Sequence, residues 1–328
     1  MRIPNNSITS PIPKVSIILT TYNFVKYARE AVLSLLNQEN APSFEVLVFD
    51  DASTDGTVET LDGIVDARLH VHRNERNLGA ATTLTNAFAM ARGNYIARLD
   101  GDDRWRPDFL NLTCAALDSD PGLGFVYGDV AWMDSSGNIT QARGLERPTL
   151  PICGYELKPL LRKNYICAPA LLARREAWAL ALPWQERFAI GPGDWYASLK
   201  MAAKYPSLYL DRVLADYRIH AQGMHSQMMA SQRGEAAIEY ILAYFFEHFA
   251  DQFTHKEIRQ IRQGQRLGMA ASALGMRRFK DARRLYRSGL RDGLLALTRP
   301  TIFRSVFALE ILGYERYEKV KSWILHSR

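Results

Sequence analysis

Apolar and polar positions repeat one theme through the first third of the chain. Residues 15–20, VSIILT, form a continuous apolar, β-branched run, which predicts a strand buried on both faces, as in a parallel sheet. YAREAVLSLLNQ then sets Ala28, Ala31, Val32, Leu35 and Leu36 at helical spacing, one apolar stripe that predicts a helix packed on that sheet. EVLVFDD reads as a second strand ending in Asp50 and Asp51. STDGTVETLDGIV predicts a loop and a helix, with Ser53 to Asp55 offering oxygens to the first turn. A short strand, RLHVH, follows, and then a helix, GAATTLTNAFAMARG, closed by Gly93 as its C-cap. NYIARLD is the next strand and carries Asp100 to its end; Pro107 suits the first turn of a helix over residues 107–118.

Strands and helices alternating at this spacing predict βαβ units: an α/β fold with a Rossmann-like, mostly parallel sheet flanked by helices. In such sheets ligands bind in the crevice beyond the carboxyl ends of the strands. The acidic clusters at 50–51 and 100–103 both follow strands, so both are expected to face one crevice. Further on, GFVYGDVAWMD and SSGN read as a strand and a turn, DWYASLKMAAKY as a helix, and SLYLD and VLADYRIH as short strands. The intervening residues 140–190 are less regular and are expected to form a lid facing an acceptor. After about residue 230 the periodicity is helical throughout. The expected organisation is an α/β region over 1–230 and a helical C-terminal region over 231–328.

Composition narrows the picture. With 328 residues and 47% hydrophobic content the chain can bury a full core. Its three cysteines, Cys114, Cys153 and Cys167, form no CxxC or Cys/His cluster, which argues for apolar fillers and against structural zinc. The N-terminal segment lacks the apolar core of a signal peptide, and no run reaches the roughly 18 to 20 apolar residues needed to span a bilayer, so a cytoplasmic protein is expected. The net charge of +6 is uneven: residues 251–328 hold 17 Lys/Arg against 7 Asp/Glu, and residues 1–250 hold 24 against 28. The basic end suits ordinary solvated helices, a dimer contact, or an anionic membrane face; Ile302, Phe303, Val306 and Phe307 beside Arg304 fit an amphipathic helix. No nucleic-acid motif accompanies the charge, so nucleic acid is not expected as a partner.

The candidate chemistry lies in Asp100-Gly101-Asp102, followed by Asp103. Crowded carboxylates require either a cation or a raised pKa. Hard cations such as Mg²⁺ or Mn²⁺ bridge one or two carboxylates to nucleotide phosphates. The plainer alternative is a solvated loop whose aspartates cap the next helix. The position at the end of a buried strand, with Asp50-Asp51 as a companion cluster, favours the first reading.

The blocks VSIILTTYN, SLLNQ, EVLVFDDASTDGT, RNERNLG, ARGNYIARLDGDD and RPDFL, in this order over about residues 14–110, resemble glycosyltransferase family 2, whose members invert stereochemistry on a GT-A fold. The likeness continues more loosely through GPGDWYASLKMA and LADYRIHAQGMHS. By that resemblance Thr20, Tyr22 and Asn23 line a nucleotide pocket, Asp51 accepts a hydrogen bond from a uracil-like N–H, and Asp50 supports it or holds the loop. Asp100 and Asp102 form the metal-binding DxD, Asp103 stands beside the donor sugar, and Arg76 and Asn77 approach the donor. The segment with Arg218, His220 and His225 closes over the diphosphate, with His220 on the metal or a phosphate. The family's Glu-Asp pair at a helix start, the source of the catalytic base, matches Gly193-Asp194. The Asp is present and the Glu is not. Asp194 is expected to deprotonate an acceptor hydroxyl, to cap the helix, or both.

The implied activity is transfer of a sugar from a nucleotide-sugar donor, UDP-linked by preference, to a glycan or lipid-linked acceptor of the cell envelope, with Mn²⁺ or Mg²⁺. Rival chemistries lack their signatures. No GxGxxG follows the first strand, Arg104 rather than Thr or Val follows the acidic turn, and no glycine-rich basic loop is present. The standing alternative is an inactive nucleotide-sugar-binding or scaffold protein, for which Gly193 is the argument.

Overall fold

The structure, a computed structural model, describes residues 11–144, 147–185, 192–220 and 233–292. It divides into two compact units. The first takes in the described residues up to 157, then those of 164–185 and 193–220; the second takes in 158–163, 192 and 233–292.

The first unit is built on one sheet. Strands β1 (Val15–Thr21), β2 (Phe44–Asp50), β3 (Leu69–Arg73) and β4 (Tyr95–Asp100) run parallel in the order β3-β2-β1-β4. β1 and β2 are buried nearly throughout, which explains why neither alternates in polarity. Helix α1 (Ala28–Leu36) turns Ala28, Ala31, Val32 and Leu35 onto Val15, Ile17, Leu19, Val46 and Val48 in one core cluster. Each fully buried Val, Leu or Ile among them contributes about 1.5–3 kcal/mol. Helices α2 (Ala80–Met90) and α3 (Phe109–Ser119) complete the βα pattern.

The other half of the sheet is mixed. Strand β5 (Arg104–Trp105), strand β6 (Phe125–Met133) with its hairpin partner β7 (Ile139–Gln141), the short β8 (Cys153–Gly154), β9 (Leu171–Arg174) and β10 (Ser207–Arg218) extend the order as β4-β9-β6-β10-β5. β6 and β10 pair in parallel, whereas β9 lies antiparallel between β4 and β6. Helices α4 (Leu157–Arg162), α5 (Arg175–Ala179) and α6 (Gly193–Ala202) belong to this stretch of sequence.

Several local expectations are corrected. Residues 58–61 form only a 3-10 turn, because Asp55 folds back to accept from the Thr57 amide (3.0 Å) and the Val25 amide (3.0 Å). Gly93 is no C-cap: α2 ends at Met90, and Gly93 lies so close to β1 that an added Cβ would sit 2.4 Å from the Ser16 nitrogen. The segment 140–190 is not all lid, since β9 lies inside the sheet; four residues are too few for periodicity to reveal. SLYLD and VLADYRIH join as one strand, β10, with irregularities between Tyr209 and Ala215.

In the second unit, α7 (Arg233–His248), α8 (His255–Gly275) and α9 (Phe279–Asp292) follow one another. α8 opens on a capping box in which the Glu257 amide donates to Thr254 Oγ1 (3.2 Å) and the Thr254 amide to Glu257 Oε2 (2.9 Å). Leu267, Ala270 and Ala273 pack against Ala282, Leu285 and Tyr286 between α8 and α9. Some of the basic excess is internally paired: Arg266 meets Glu239 at 2.8 Å and Asp292 at 2.6 Å. The stripe from Ile302 to Phe307 lies outside the described residues, as does His225. No described helix is long and apolar enough to cross a membrane.

The close approach at Gly93 sets a test. Gly93→Ala must push β1 or the turn before β4 aside, at a cost of about 1–3 kcal/mol. A thermal-denaturation midpoint several degrees below wild type is expected, and an unchanged midpoint would contradict the contact.

Candidate active site

The parallel register brings the strand ends to one edge of the sheet. Thr21 lies beside Asp50, and Thr20 beside Asp100. Beyond that edge the loops after β1 and β2 interlock. The Asn23 amide donates to Ser53 Oγ (2.9 Å), the Thr54 amide to Asn23 Oδ1 (2.9 Å), and the Phe24 amide to Thr57 Oγ1 (2.9 Å). Asn23 (φ +57°) and Ala52 (φ +62°) adopt left-handed backbone to make these turns.

Asp50 is fully buried. It accepts from the Ser53 amide (2.9 Å) and hydroxyl, with Arg73 Nε 3.6 Å away, so its carboxylate closes its own loop. Asp51 is buried too, and four donors of its own chain engage both its oxygens. Oδ1 accepts from Asn74 Nδ2 (2.8 Å), the Leu78 amide (2.8 Å) and Thr83 Oγ1 (2.9 Å); Oδ2 accepts from the Gly79 amide (2.9 Å). Asp51 therefore shapes the 74–83 segment. Tyr22 and Arg76 are exposed at this edge, and Thr20 is half-buried.

The acidic turn after β4 is tight, since a Cβ on Gly101 would lie 2.7 Å from Thr21 Oγ1. Its three carboxylates point to different partners. Arg98 Nη2 donates to both oxygens of Asp100 (2.6 and 2.7 Å). Asp102 Oδ2 meets His220 Nε2 at 2.8 Å, and the His220 ring lies 5.3 Å from that of Tyr27 and 6.0 Å from that of Phe24. Asp103 Oδ1 accepts from the Arg218 amide (2.8 Å), while its buried Oδ2 has no hydrogen-bond partner among the described residues. Arg218 straps the turn: Nε donates to the Asp102 carbonyl (2.7 Å) and Nη2 to Glu30 Oε2 (2.6 Å). Burial raises the pKa of Asp102, with His220 opposing and Asp100 adding to the rise. Burial, reinforced by the Asp102 and Asp100 charges, holds Asp103 well above the usual carboxylate range.

These residues fit a divalent cation. Asp102 and His220 are already together, and one buried Asp103 oxygen has no donor among the described residues. Among the described residues no group of three or more His, Cys, Asp or Glu side chains is gathered as a ready-made metal site. An ion that keeps most of its coordination for phosphate and water needs only one or two protein carboxylates. Asp100, also expected on the metal, accepts from Arg98 at both oxygens.

Asp194 sits in the first turn of α6, where its Oδ1 accepts from the Trp195 amide (2.8 Å). Burial raises its pKa, the Arg98 charge counters this, and Asp100 adds to the rise. Cys167 and Tyr217 share the same field: burial and the charges of Asp103, Asp100 and Asp194 push both upward. Sequence reading missed Arg98. The available signal was a lone charge inside the apolar strand YIARLD, two positions before Asp100 and hence on the same face. Gly193 now has a steric reason, because a Cβ there would lie 2.7 Å from Trp184 Cζ2.

An α/β sheet with these strand-end acidic turns defines a protein of the GT-A fold class, and comparison with known proteins agrees. Residues 16–177, just under half of the chain, match the family model described as Glycosyl transferase family 2. It is 42% identical over 100 residues to TuaG of Bacillus subtilis (strain 168), whose name assigns it to teichuronic acid biosynthesis; the match covers 30% of this chain and 39% of TuaG. Three mycobacterial relatives are matched over 62% of their length, so the chain spans less than two thirds of the curated relatives compared here. In fold it is similar to S. aureus TarS 1–349 (TM-score 0.60, 17% identity, 96% of this chain and 92% of that one). It is also similar to the Pyrobaculum calidifontis mannosyltransferase PcManGT, solved with GDP-Man and Mn²⁺ (TM-score 0.56, 19% identity, 95% and 84% coverage).

The Asp51 arrangement sets a second test. Asp51→Ala leaves four donors without their acceptor, at a cost of roughly 3 kcal/mol. Faster amide exchange at Leu78 and Gly79, with a lower thermal midpoint, is expected; unchanged exchange there would refute the role.

Proposed function

We propose that this chain transfers a sugar from a nucleoside diphosphate sugar, UDP-linked by preference, to an acceptor hydroxyl with inversion at the anomeric carbon. The observation that carries the reading is the convergence of Asp102 with His220 at 2.8 Å, on the sheet edge where Arg98 lies in the fields of both Asp100 and Asp194. Thr20, Tyr22 and Asn23 border the nucleotide, with Asp51 and Asp50 holding the loops around the base and Arg76 near the donor. Asp103 supports the turn from below, beside the sugar site.

Asp102 and His220 would hold Mn²⁺ or Mg²⁺, with Asp100 the further carboxylate at the same turn. The ion would supply neutralisation of the charge that develops on the departing diphosphate. Asp194 takes the proton of the acceptor hydroxyl. The acceptor oxygen forms its bond to the anomeric carbon as the bond to the diphosphate oxygen breaks, and the nucleoside diphosphate leaves with that electron pair. The raised pKa of Asp194 suits a base of this kind.

The likeness to TuaG supports a place in polysaccharide synthesis at the cell envelope, with a glycan or lipid-linked acceptor. The chain is proposed to work in the cytoplasm, as an α/β catalytic region over 1–230 and a basic helical region over 231–328. That second region is proposed to meet the inner membrane face or a second copy of the chain. Gly193 does not favour an inactive scaffold, since the Trp184 indole accounts for it.

The test is turnover of a panel of UDP- and GDP-sugars to the free diphosphate with Mn²⁺. Asp102→Ala is expected to abolish metal-dependent turnover, and Asp194→Asn to lower it by about 10²–10⁴-fold. The base works deprotonated, so the wild-type rate falls as pH drops through the Asp194 pKa, which lies above the ordinary aspartate range. That acid limb is expected to vanish in Asp194→Asn. Wild-type rates in both variants would overturn the proposal.

A further inference from the structure

Arg98 is placed by the alternation of β4, two residues before Asp100 and on the same face. It is 8% exposed. One of its terminal nitrogens holds both Asp100 oxygens, and its buried Nε has no acceptor among the described residues. The guanidinium carbon lies 5.7 Å from the centroid of the Trp184 ring, within cation–π range. Trp184 is itself anchored: its amide donates to Thr85 Oγ1 (3.1 Å), and its ring lies 6.3 Å from that of Trp178, whose Nε1 donates to the Ile96 carbonyl (2.9 Å). The same indole also closes on Gly193, where a Cβ would approach Cζ2 to 2.7 Å and Nε1 to 2.8 Å. Gly193 is followed by Asp194. A continuous packed path therefore runs from the acidic turn through Arg98 and Trp184 to the start of α6.

We propose that Arg98, backed by Trp184, is a positioning residue for sugar transfer: the guanidinium orients Asp100, while the indole sets the start of the helix that carries Asp194. The inference rests on the reading of Asp194 as the base. It also explains the missing glutamate of the Gly193-Asp194 pair. The space beside residue 193 is filled by the Trp184 ring, which leaves no room there for a glutamate side chain. The Asp100 contact is geometric, with one guanidinium nitrogen 2.6 and 2.7 Å from the two carboxylate oxygens. Arg98 acts through Asp100 and the start of α6, so its loss falls on turnover more than on binding of the diphosphate.

The test compares full-length Arg98→Met, which keeps the length and removes the charge, with Arg98→Lys, which keeps the charge. Turnover of the UDP-sugar panel, Mn²⁺-dependent affinity for UDP by calorimetry, and thermal midpoints are measured. Arg98→Met is expected to lower kcat by about 100-fold, the order seen when a preorganised electrostatic partner is removed, with UDP affinity held within about threefold. Arg98→Lys is expected to recover about tenfold of kcat without raising the midpoint above that of Arg98→Met. Gly193→Ala is expected to lower kcat in the wild-type background and to add less than about twofold to Trp184→Ala, because the two act through one contact. Wild-type kcat in Arg98→Met would overturn the inference. So would losses of kcat and UDP affinity that follow the midpoint alone, with lysine no better than methionine. If Asp102→Ala and Asp194→Asn are inactive while Arg98→Met is not impaired, only this inference fails. If those two turn over normally, the underlying site reading has failed.

Discussion

Three carboxylates within four positions, at the buried end of a strand, need positive charge nearby. Two like charges 4 Å apart repel by about 4 kcal/mol even at an effective dielectric of 20. Asp100 finds Arg98 on its own strand, and the Asp102–Asp103 backbone and Asp103 carboxylate find Arg218 at the end of β10. One oxygen of Asp103 is still unpaired among the described residues. The protein thus holds the turn in shape while one buried carboxylate oxygen has no donor among the described residues.

This balance depends on how the two halves of the sheet meet. The parallel half, β3-β2-β1-β4, delivers Thr20, Asp50 and Asp100 to one edge. The mixed half returns β10 past the same place, so that Arg218 and His220, distant in sequence, close over the turn. β9 makes the junction by lying antiparallel to both β4 and β6. Helix α1 ties the arrangement together through Glu30, which meets both Arg104 (2.7 Å) and Arg218 (2.6 Å). Arg104 in turn reaches the buried Asp216 at 2.6 Å. Glu30 is partly exposed, so its worth is mainly in fixing side-chain directions; Asp216 is buried, and loss of its partner would be far more costly.

The loops after β1 and β2 follow another logic. Their aspartates are not left open at the edge but are used up by neighbouring amides and hydroxyls, and Asp51 alone gathers four donors. A carboxylate that organises backbone in this way fixes the loop around it.

The α/β architecture and the shared edge of the two acidic clusters were legible in the sequence, because unbroken apolar runs and amphipathic stripes of fixed period leave little choice of element or face. VSIILT and EVLVFDD became buried parallel strands for that reason. The sequence also offered Asp100, Asp102, Asp103 and Asp194 as chemically notable residues. Beyond the resemblance, which set His220 near the Asp102 site, it did not disclose the contacts these residues make. Arg98 beside Asp100, His220 beside Asp102, Arg218 under Asp103 and Trp184 against Gly193 are contacts between segments set by strand register, the antiparallel entry of β9 and the volume of one indole ring. Periodicity encodes which face a residue occupies, but which side chain stands opposite it is decided only when the whole sheet has closed.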